Sequence, residues 1–348
     1  MRLYRGRRLS SAFLEKRSAD MMSIDRSGWY LVKESLLSPG TLSRFHLSFL
    51  DDETQAFLDR STDTSNSIGL QIYYSVMMGM LSLFMSKTSR NGALGLTRFR
   101  RAFTELSGRG GMFVFSVGQL HEFLDIPSDW NPETATASLP PSIHESDLFK
   151  LLDLGAGDGG VTAVLAEYYN KVYATEMSQV MEWRLRQRGF TPLPVDAWDD
   201  YNMPLQLISA LNLLDRYYDP PLLLENLRKL SVKNNNCPVL LSLVLPVRPY
   251  VEFHPSSNST KPDNFLPITA KTFEEQVDQL VSSVFPSSGF EVVRWTKLPY
   301  LCEGDLQMPY YVLSDAVFLL RPLDSFDASS SAANCSPPPR AAGSRQEL

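Results

Sequence analysis

Residues 151–159 read LLDLGAGDG. The apolar run Leu151–Leu154, with Asp153 as its one acid, follows polar loop residues and ends in glycines at 155, 157 and 159. That order predicts a buried strand, a tight turn, and a helix starting near Gly160 and running VTAVLAEYY. Glycine suits such a turn because it adopts positive φ without steric cost and lets a ligand press against bare backbone. The start of the helix leaves free N–H groups beside that ligand.

A glycine turn of this kind holds a dinucleotide, a P-loop phosphate or S-adenosylmethionine (SAM). No Lys-Ser or Lys-Thr follows the glycines, which excludes the P-loop. The acids separate the other two. Asp153 before the first glycine and Asp158 within the turn would repel a pyrophosphate and suit the ammonium and sulfonium of SAM. A second strand, KVYATE, ends in Glu176, roughly 20 residues beyond Gly155, where an acid holds a ribose diol. Asp153, Gly155, Gly157 and Glu176 are therefore expected to bind SAM. The bland alternative is a packing turn with a solvated Glu176.

The chain has 348 residues, which bounds it to about two domains, or one with extensions. At 43% hydrophobic and 11% aromatic it can bury a full core. A net charge of −6 argues against a general nucleic-acid binder, although a local basic patch stays open. Cys237, Cys302 and Cys335 have neither disulfide-framework nor zinc spacing, and His46, His121, His144 and His254 are scattered, so no metal site is expected. No apolar run reaches the ~18 residues of a membrane span. The opening, MRLYRGRRLSSAFLEKR, lacks the apolar core of a secretory signal but shares the Arg- and Ser-rich, acid-poor character of a mitochondrial presequence.

Four stretches follow along the chain. Residues 1–50 form a mixed, variable segment in which Leu31–Leu37 reads as a short helix. Residues 51–146 read as a helical lobe or lid. A helix opens at Asp51, Gln71–Met85 is strongly apolar, and Lys87–Gly111 is basic, either a solvated face or a charged rim. Met112–Phe115 is an apolar plug ahead of a helix, GQLHEFLDI. Residues 147–322 alternate strand and helix, which implies a parallel sheet covered on both faces. The strands are expected at Leu148–Leu154, Val172–Thr175, Phe190–Val195, Leu205–Leu211, Val239–Leu245, Glu291–Leu298 and Tyr310–Leu320. Helices are expected at Val180–Arg188, Pro221–Leu230 and Thr272–Phe285. The fold class is thus α/β, a class I SAM-dependent methyltransferase domain with a seven-stranded Rossmann-like sheet, the last strand antiparallel, and an N-terminal helical extension. Residues 323–348 are Ser-, Ala- and Pro-rich and are expected to be disordered.

Ligands of a doubly wound sheet bind at the carboxyl ends of its strands. Asp196, after the third strand, could accept from an adenine amino group, and Trp198 could stack on the ring. After the fourth strand comes Asn212-Leu213-Leu214-Asp215-Arg216. Polar groups there face both the transferred methyl and its acceptor. A methyltransferase of this fold mainly positions its nucleophile. Asp215 is therefore read as accepting a hydrogen bond from an N–H of the acceptor, or else as a helix N-cap. Tyr300 and Tyr311 line the acceptor pocket or pack in the core.

The chain resembles the DREV family, methyltransferase-like proteins that methylate protein histidine at the pros nitrogen. The resemblance rests on SLFMSKTS (82–89), GMFVFS (111–116), LLDLGAGDG (151–159), YATEMS (173–178), LNLLDR (211–216), LVLPVRPYVE (243–252), LPYLCEGD and YYVLSDAVFLL. It implies a SAM-dependent enzyme acting on His-x-His sequences of target proteins, x being small. By match, Glu176, Asn212 and Tyr300 would contact the cofactor, and Asp215 and Tyr311 would hold the target imidazole. If Asp215 accepts the tele N–H of a neutral imidazole, the pros lone pair is left free. An acidic pocket would attract a cationic, histidine-rich target. Two features depart from the family: its members commonly open with a hydrophobic leader, and residues 96–108 read as an insertion. An intracellular, cytoplasmic placement is expected, with the endoplasmic reticulum or mitochondrion as family-based alternatives. The rival functions are a small-molecule methyltransferase and a SAM-binding module without turnover.

Overall fold

The computed structural model describes residues 26–67, 69, 111–132, 149–200, 204–255, 259–304 and 308–323. The expectations for the opening segment, Gln71–Met85, the basic stretch before Gly111, the insertion and the tail fall outside these residues.

The elements follow in chain order. Helix α1 (Asp52–Asn66) is capped by Asp51, whose side chain accepts the Thr54 N–H. The short strand β1 (Met112–Phe113) leads to helix α2 (Val117–Leu124), which starts in a Ser116–Gln119 capping box. Then come β2 (Lys150–Leu154), α3 (Gly160–Ala166), β3 (Lys171–Thr175), α4 (Gln179–Gln187), β4 (Thr191–Leu193) and β5 (Leu207–Leu211). The last group is α5 (Pro220–Lys233), β6 (Val239–Val244), α6 (Phe273–Gln279), β7 (Phe290–Glu303) and β8 (Tyr310–Pro322). Instead of one α-helix to Phe285, the backbone after α6 loosens into a π-helical turn, Leu280–Val284. In place of the helix expected at Leu31–Leu37 there is a single 3-10 turn, Glu34–Leu36.

The described strands form one sheet ordered β1-β7-β8-β6-β5-β2-β3-β4. Strands β4, β3, β2, β5 and β6 run parallel, and β8 runs antiparallel between β6 and β7. This is the doubly wound order with one reversed strand inserted near its edge, which is the class I methyltransferase fold. The sheet has eight strands rather than the expected seven. The apolar plug supplies the extra one, because Met112 and Phe113 pair antiparallel with Cys302 and Leu301 of the long β7.

Side-chain alternation sorts the core into two layers. Leu152, Leu154, Ile208 and Ala210 face the cluster built with Leu223, Leu224 and Leu227 of α5 and Val277 of α6. Leu151, Val172 and Leu207 face the other, built with Leu120 and Phe123 of α2 and Leu165 of α3. Strand β2 is buried along its whole length, as an interior parallel strand must be. The segment before α1 closes the outer edge. Trp295 of β7 donates its indole N–H to the Thr41 carbonyl at 2.8 Å, and its ring lies 4.7 Å from that of Phe45.

Candidate functional site

The order of parallel strands reverses between the neighbours β2 and β5. Beyond their carboxyl ends lies the crevice position where ligands usually bind in such sheets. On the β2 side stands the glycine turn. Gly155, Gly157 and Gly159 have φ of 71°, 58° and 76°, a region open to glycine at little cost. Strand β3 ties this turn down. Thr175 accepts the Gly155 N–H at 3.2 Å with its hydroxyl and the Ala156 N–H at 3.0 Å with its carbonyl. Glu176 accepts the Gly157 N–H at 3.1 Å and the Ser178 N–H at 2.9 Å. The three glycines differ in purpose. A Cβ on Gly159 would stand 2.9 Å from Leu185 of α4, so this glycine is needed for packing. Among the described residues, a Cβ on Gly157 would meet only the Met112 methyl, at 3.7 Å.

The two acids of the motif do not face a ligand, contrary to the reading above. Asp153 points from β2 into the buried layer beneath α3, where Thr162 and Ser209 donate hydroxyls to its two oxygens at 2.5 and 2.7 Å. Burial pushes its carboxyl up to about 6, against those two hydrogen bonds. Asp158 accepts the Gly160 N–H and turns towards Arg184 and Arg188, at 3.8 and 3.9 Å. Trp198 is corrected as well. It is only 5% exposed, its ring packed into the α5 cluster, so it has no face to offer an adenine. Asp196 stands exposed on the turn after β4.

On the β5 side, Asn212 adopts a left-handed backbone with φ 52°. Its N–H donates to both the carbonyl and the hydroxyl of Ser242 at 3.1 Å, and its side-chain nitrogen donates to Asp315 Oδ2 at 2.9 Å. The next residue, Leu213, reaches 3.0 Å from where a Gly155 Cβ would stand, so the two sides of the crevice meet there. Asp215 is 4% exposed, and its pairing with Arg216 is long, 3.4 Å from Nε to Oδ2. Burial raises its carboxyl above the ordinary range, and the Arg216 guanidinium opposes that shift. Asp215 is not a helix cap; Asp219 caps α5 by accepting the Leu222 N–H.

The β7–β8 arm forms the third wall. Its register pairs Leu298 with Asp315, Tyr300 with Leu313 and Cys302 with Tyr311. Opposed and alternate residues share a face, which puts Tyr300, Cys302, Tyr311 and Asp315 on one side, with Met112 alongside from β1. Asp315 lies opposite Val244, the last residue of β6, so the arm from Tyr310 to Ser314 projects past the carboxyl edge of the parallel strands. The Tyr300 hydroxyl donates to the Met112 sulfur at 2.6 Å. Burial, with Cys302 and Asp315 nearby, holds that hydroxyl far above its usual range. Tyr311 is 42% exposed. Burial pushes the Cys302 thiol up to about 11, which removes it as a thiolate nucleophile.

Among the described residues, Asn212 Oδ1 and Asp215 Oδ1 on the β5 side are buried without a hydrogen-bond partner, and so is Asp315 Oδ1 behind Asn212. A pocket with spare acceptors fits a ligand that is cationic and rich in donors, as SAM is. Among the described residues no group of side chains could hold a metal ion, and no helix is long and apolar enough to cross a membrane.

The family model of the DREV methyltransferases matches residues 29–322. The chain belongs to the DREV methyltransferase family. It is accordingly a SAM-dependent methyltransferase of class I fold. Solved structures similar to the chain include magnesium protoporphyrin IX methyltransferase from Synechocystis with bound SAM, at 15% identity and a TM-score of 0.33, covering 79% of this chain and 100% of that one. A SAM-dependent methyltransferase from Anabaena variabilis is similar at 10% identity and a TM-score of 0.39, covering 67% and 96%.

The sequence reading missed Asp315 and Ser242, which hold Asn212. The signal was present: Ser242 is the lone polar residue of VLLSLV and Asp315 the lone acid of YYVLSDAVFLL, where a buried polar group needs a partner.

Proposed function

We propose that this DREV methyltransferase modifies protein histidine at the pros nitrogen within His-x-His sequences, x being small. The observation that carries the reading is Asp215 Oδ1, a buried carboxylate oxygen without a donor beside the crevice. An unpaired buried acceptor costs ~1–3 kcal/mol or more, and an N–H from a ligand removes that cost. A neutral imidazole offers one N–H and one lone pair on opposite sides of its ring. With the tele N–H given to Asp215, the pros nitrogen keeps its lone pair for attack.

When bound, SAM supplies an electrophilic methyl on a sulfonium. Gly155 and Gly157 would give it bare backbone, Glu176 would take the ribose hydroxyls, and Asp196 would accept from the adenine amino group. Asn212 and Tyr300 would stand nearest the reacting end. Asp215 and Tyr311 hold the acceptor ring, Asp215 by hydrogen bond and Tyr311 from the projecting arm. In-line methyl transfer needs orientation above all, and these residues orient. The direct test is incubation with labelled SAM and a His-Ala-His peptide. Label on histidine supports the proposal. A folded, SAM-binding enzyme that never labels His-x-His peptides or proteins would overturn it.

A further inference from the structure

We propose that Asp315 is a positioning residue that fixes which end of the Asn212 side-chain amide faces the cofactor. A carboxamide has a donor end and an acceptor end of nearly the same shape, so an unrestrained one can present either. Here the choice is made from behind. Asp315 Oδ2 takes the Asn212 side-chain N–H at 2.9 Å, which turns Asn212 Oδ1 the other way, where it has no partner. Burial pushes the Asp315 carboxyl up to about 7, against the lowering pull of the neighbouring Asn212 and Ser242 side chains.

The Asn212 backbone is fixed independently. It is left-handed at φ 52°, with its N–H shared between the Ser242 carbonyl and hydroxyl. Asn enters that region more readily than most non-glycine residues, so the backbone takes this turn at little cost. Ser242 therefore fixes where Asn212 stands, and Asp315 fixes which way its amide points. The requirement comes from charge. The methionine end of SAM carries an ammonium and a sulfonium beside its carboxylate, and an amide oxygen stabilises the two cations where an amide N–H repels them. A fully buried acid at a strand position where an apolar residue would pack is costly in stability. Asp315 is explained if its carboxylate serves orientation instead.

The inference rests on the reading that Asn212 meets the cofactor, and the experiment separates the two. SAM affinity is measured by calorimetry on Asp315→Ala, on Asn212→Ala and on the exchange Asn212→Asp with Asp315→Asn, each with its Tm. Asp315→Ala is expected to weaken SAM binding about tenfold or more, the size of one charge-assisted hydrogen bond. The exchange is expected to recover most of that loss. Its new Asp accepts from the new Asn with one oxygen and shows the other to the cofactor, and the buried groups stay nearly the same. If Asn212→Ala weakens SAM binding but Asp315→Ala binds like the parent, the role of Asp315 is overturned and that of Asn212 stands. If Asn212→Ala has no effect, the placement of Asn212 falls and the inference with it. Should Asp315→Ala fail to fold, an exchange variant that folds but binds SAM more than tenfold weaker than the parent also overturns the inference.

Discussion

Glu176 closes on the turn it faces: one carboxylate oxygen accepts the Gly157 N–H at 3.1 Å and the other the Ser178 N–H at 2.9 Å. The acid at the end of β3 is thus a strut of the glycine turn as well as a candidate ligand for the ribose. Glu176→Ala should therefore weaken SAM binding by about tenfold or more, since one contact goes and the turn is untied. At saturating SAM, turnover should fall much less. Calorimetry and initial rates at saturation check this; a large kcat loss with unchanged SAM affinity would contradict it.

The glycines of the motif should separate into two phenotypes. Gly159→Ala forces a Cβ to within 2.9 Å of Leu185 at φ 76°, and should lower stability by about 1–3 kcal/mol through overpacking and strain. Gly157→Ala has room for its Cβ, with 3.7 Å to the Met112 methyl, and carries only the strain of its φ of 58°, so its loss of stability should be the smaller and a loss of SAM affinity should accompany it. Thermal denaturation and calorimetry on the two variants test the contrast. Gly159→Ala with parent Tm would show that α4 does not pack there as described.

Asp153 should behave as a structural acid. Asp153→Ala leaves the Thr162 and Ser209 hydroxyls without their acceptor, at ~1–3 kcal/mol for each buried group. Tm should drop markedly, while SAM affinity, measured below the transition, stays within a few-fold. A selective loss of affinity at unchanged Tm would return Asp153 to the ligand.

The fold was legible because parallel strands and their turns are written locally. LLDLGAGDG announces a strand, a glycine turn and a helix within nine letters, and β2 and α3 lie where that stretch puts them. Edges were less legible. Met112–Phe113 is too short to read as a strand and becomes one only because β7 runs on past it. In the site, sequence placed Asn212 and Asp215 at the mouth of β5 but could not say where side chains point. Asp153 was read as facing a ligand, yet strand alternation turns it into the α3 layer. Trp198 was read as a stacking ring, but the burial of so large an apolar side chain decided otherwise. Asp315 lies 103 positions from Asn212, and no local pattern joins them.

The proposed role of Asp215 is to select a histidine tautomer by accepting its tele N–H. Asp215→Asn keeps the size and offers an N–H where an acceptor is needed, so turnover on a His-Ala-His peptide should fall by a large factor, on the order of 10²–10⁴. SAM affinity should stay close to the parent's. Turnover in the parent should also decline below the ordinary imidazole value of about 6.5, as the target's lone pair is protonated. Burial raises the Asp215 carboxyl, so its own protonation reinforces the decline on the same, acidic side. The decisive measurement is peptide turnover of Asp215→Asn with mass spectrometry to locate the methyl. The expected result is a variant that binds SAM and transfers little or nothing to the pros nitrogen. A variant that turns over like the parent and places the methyl on that same nitrogen would contradict it.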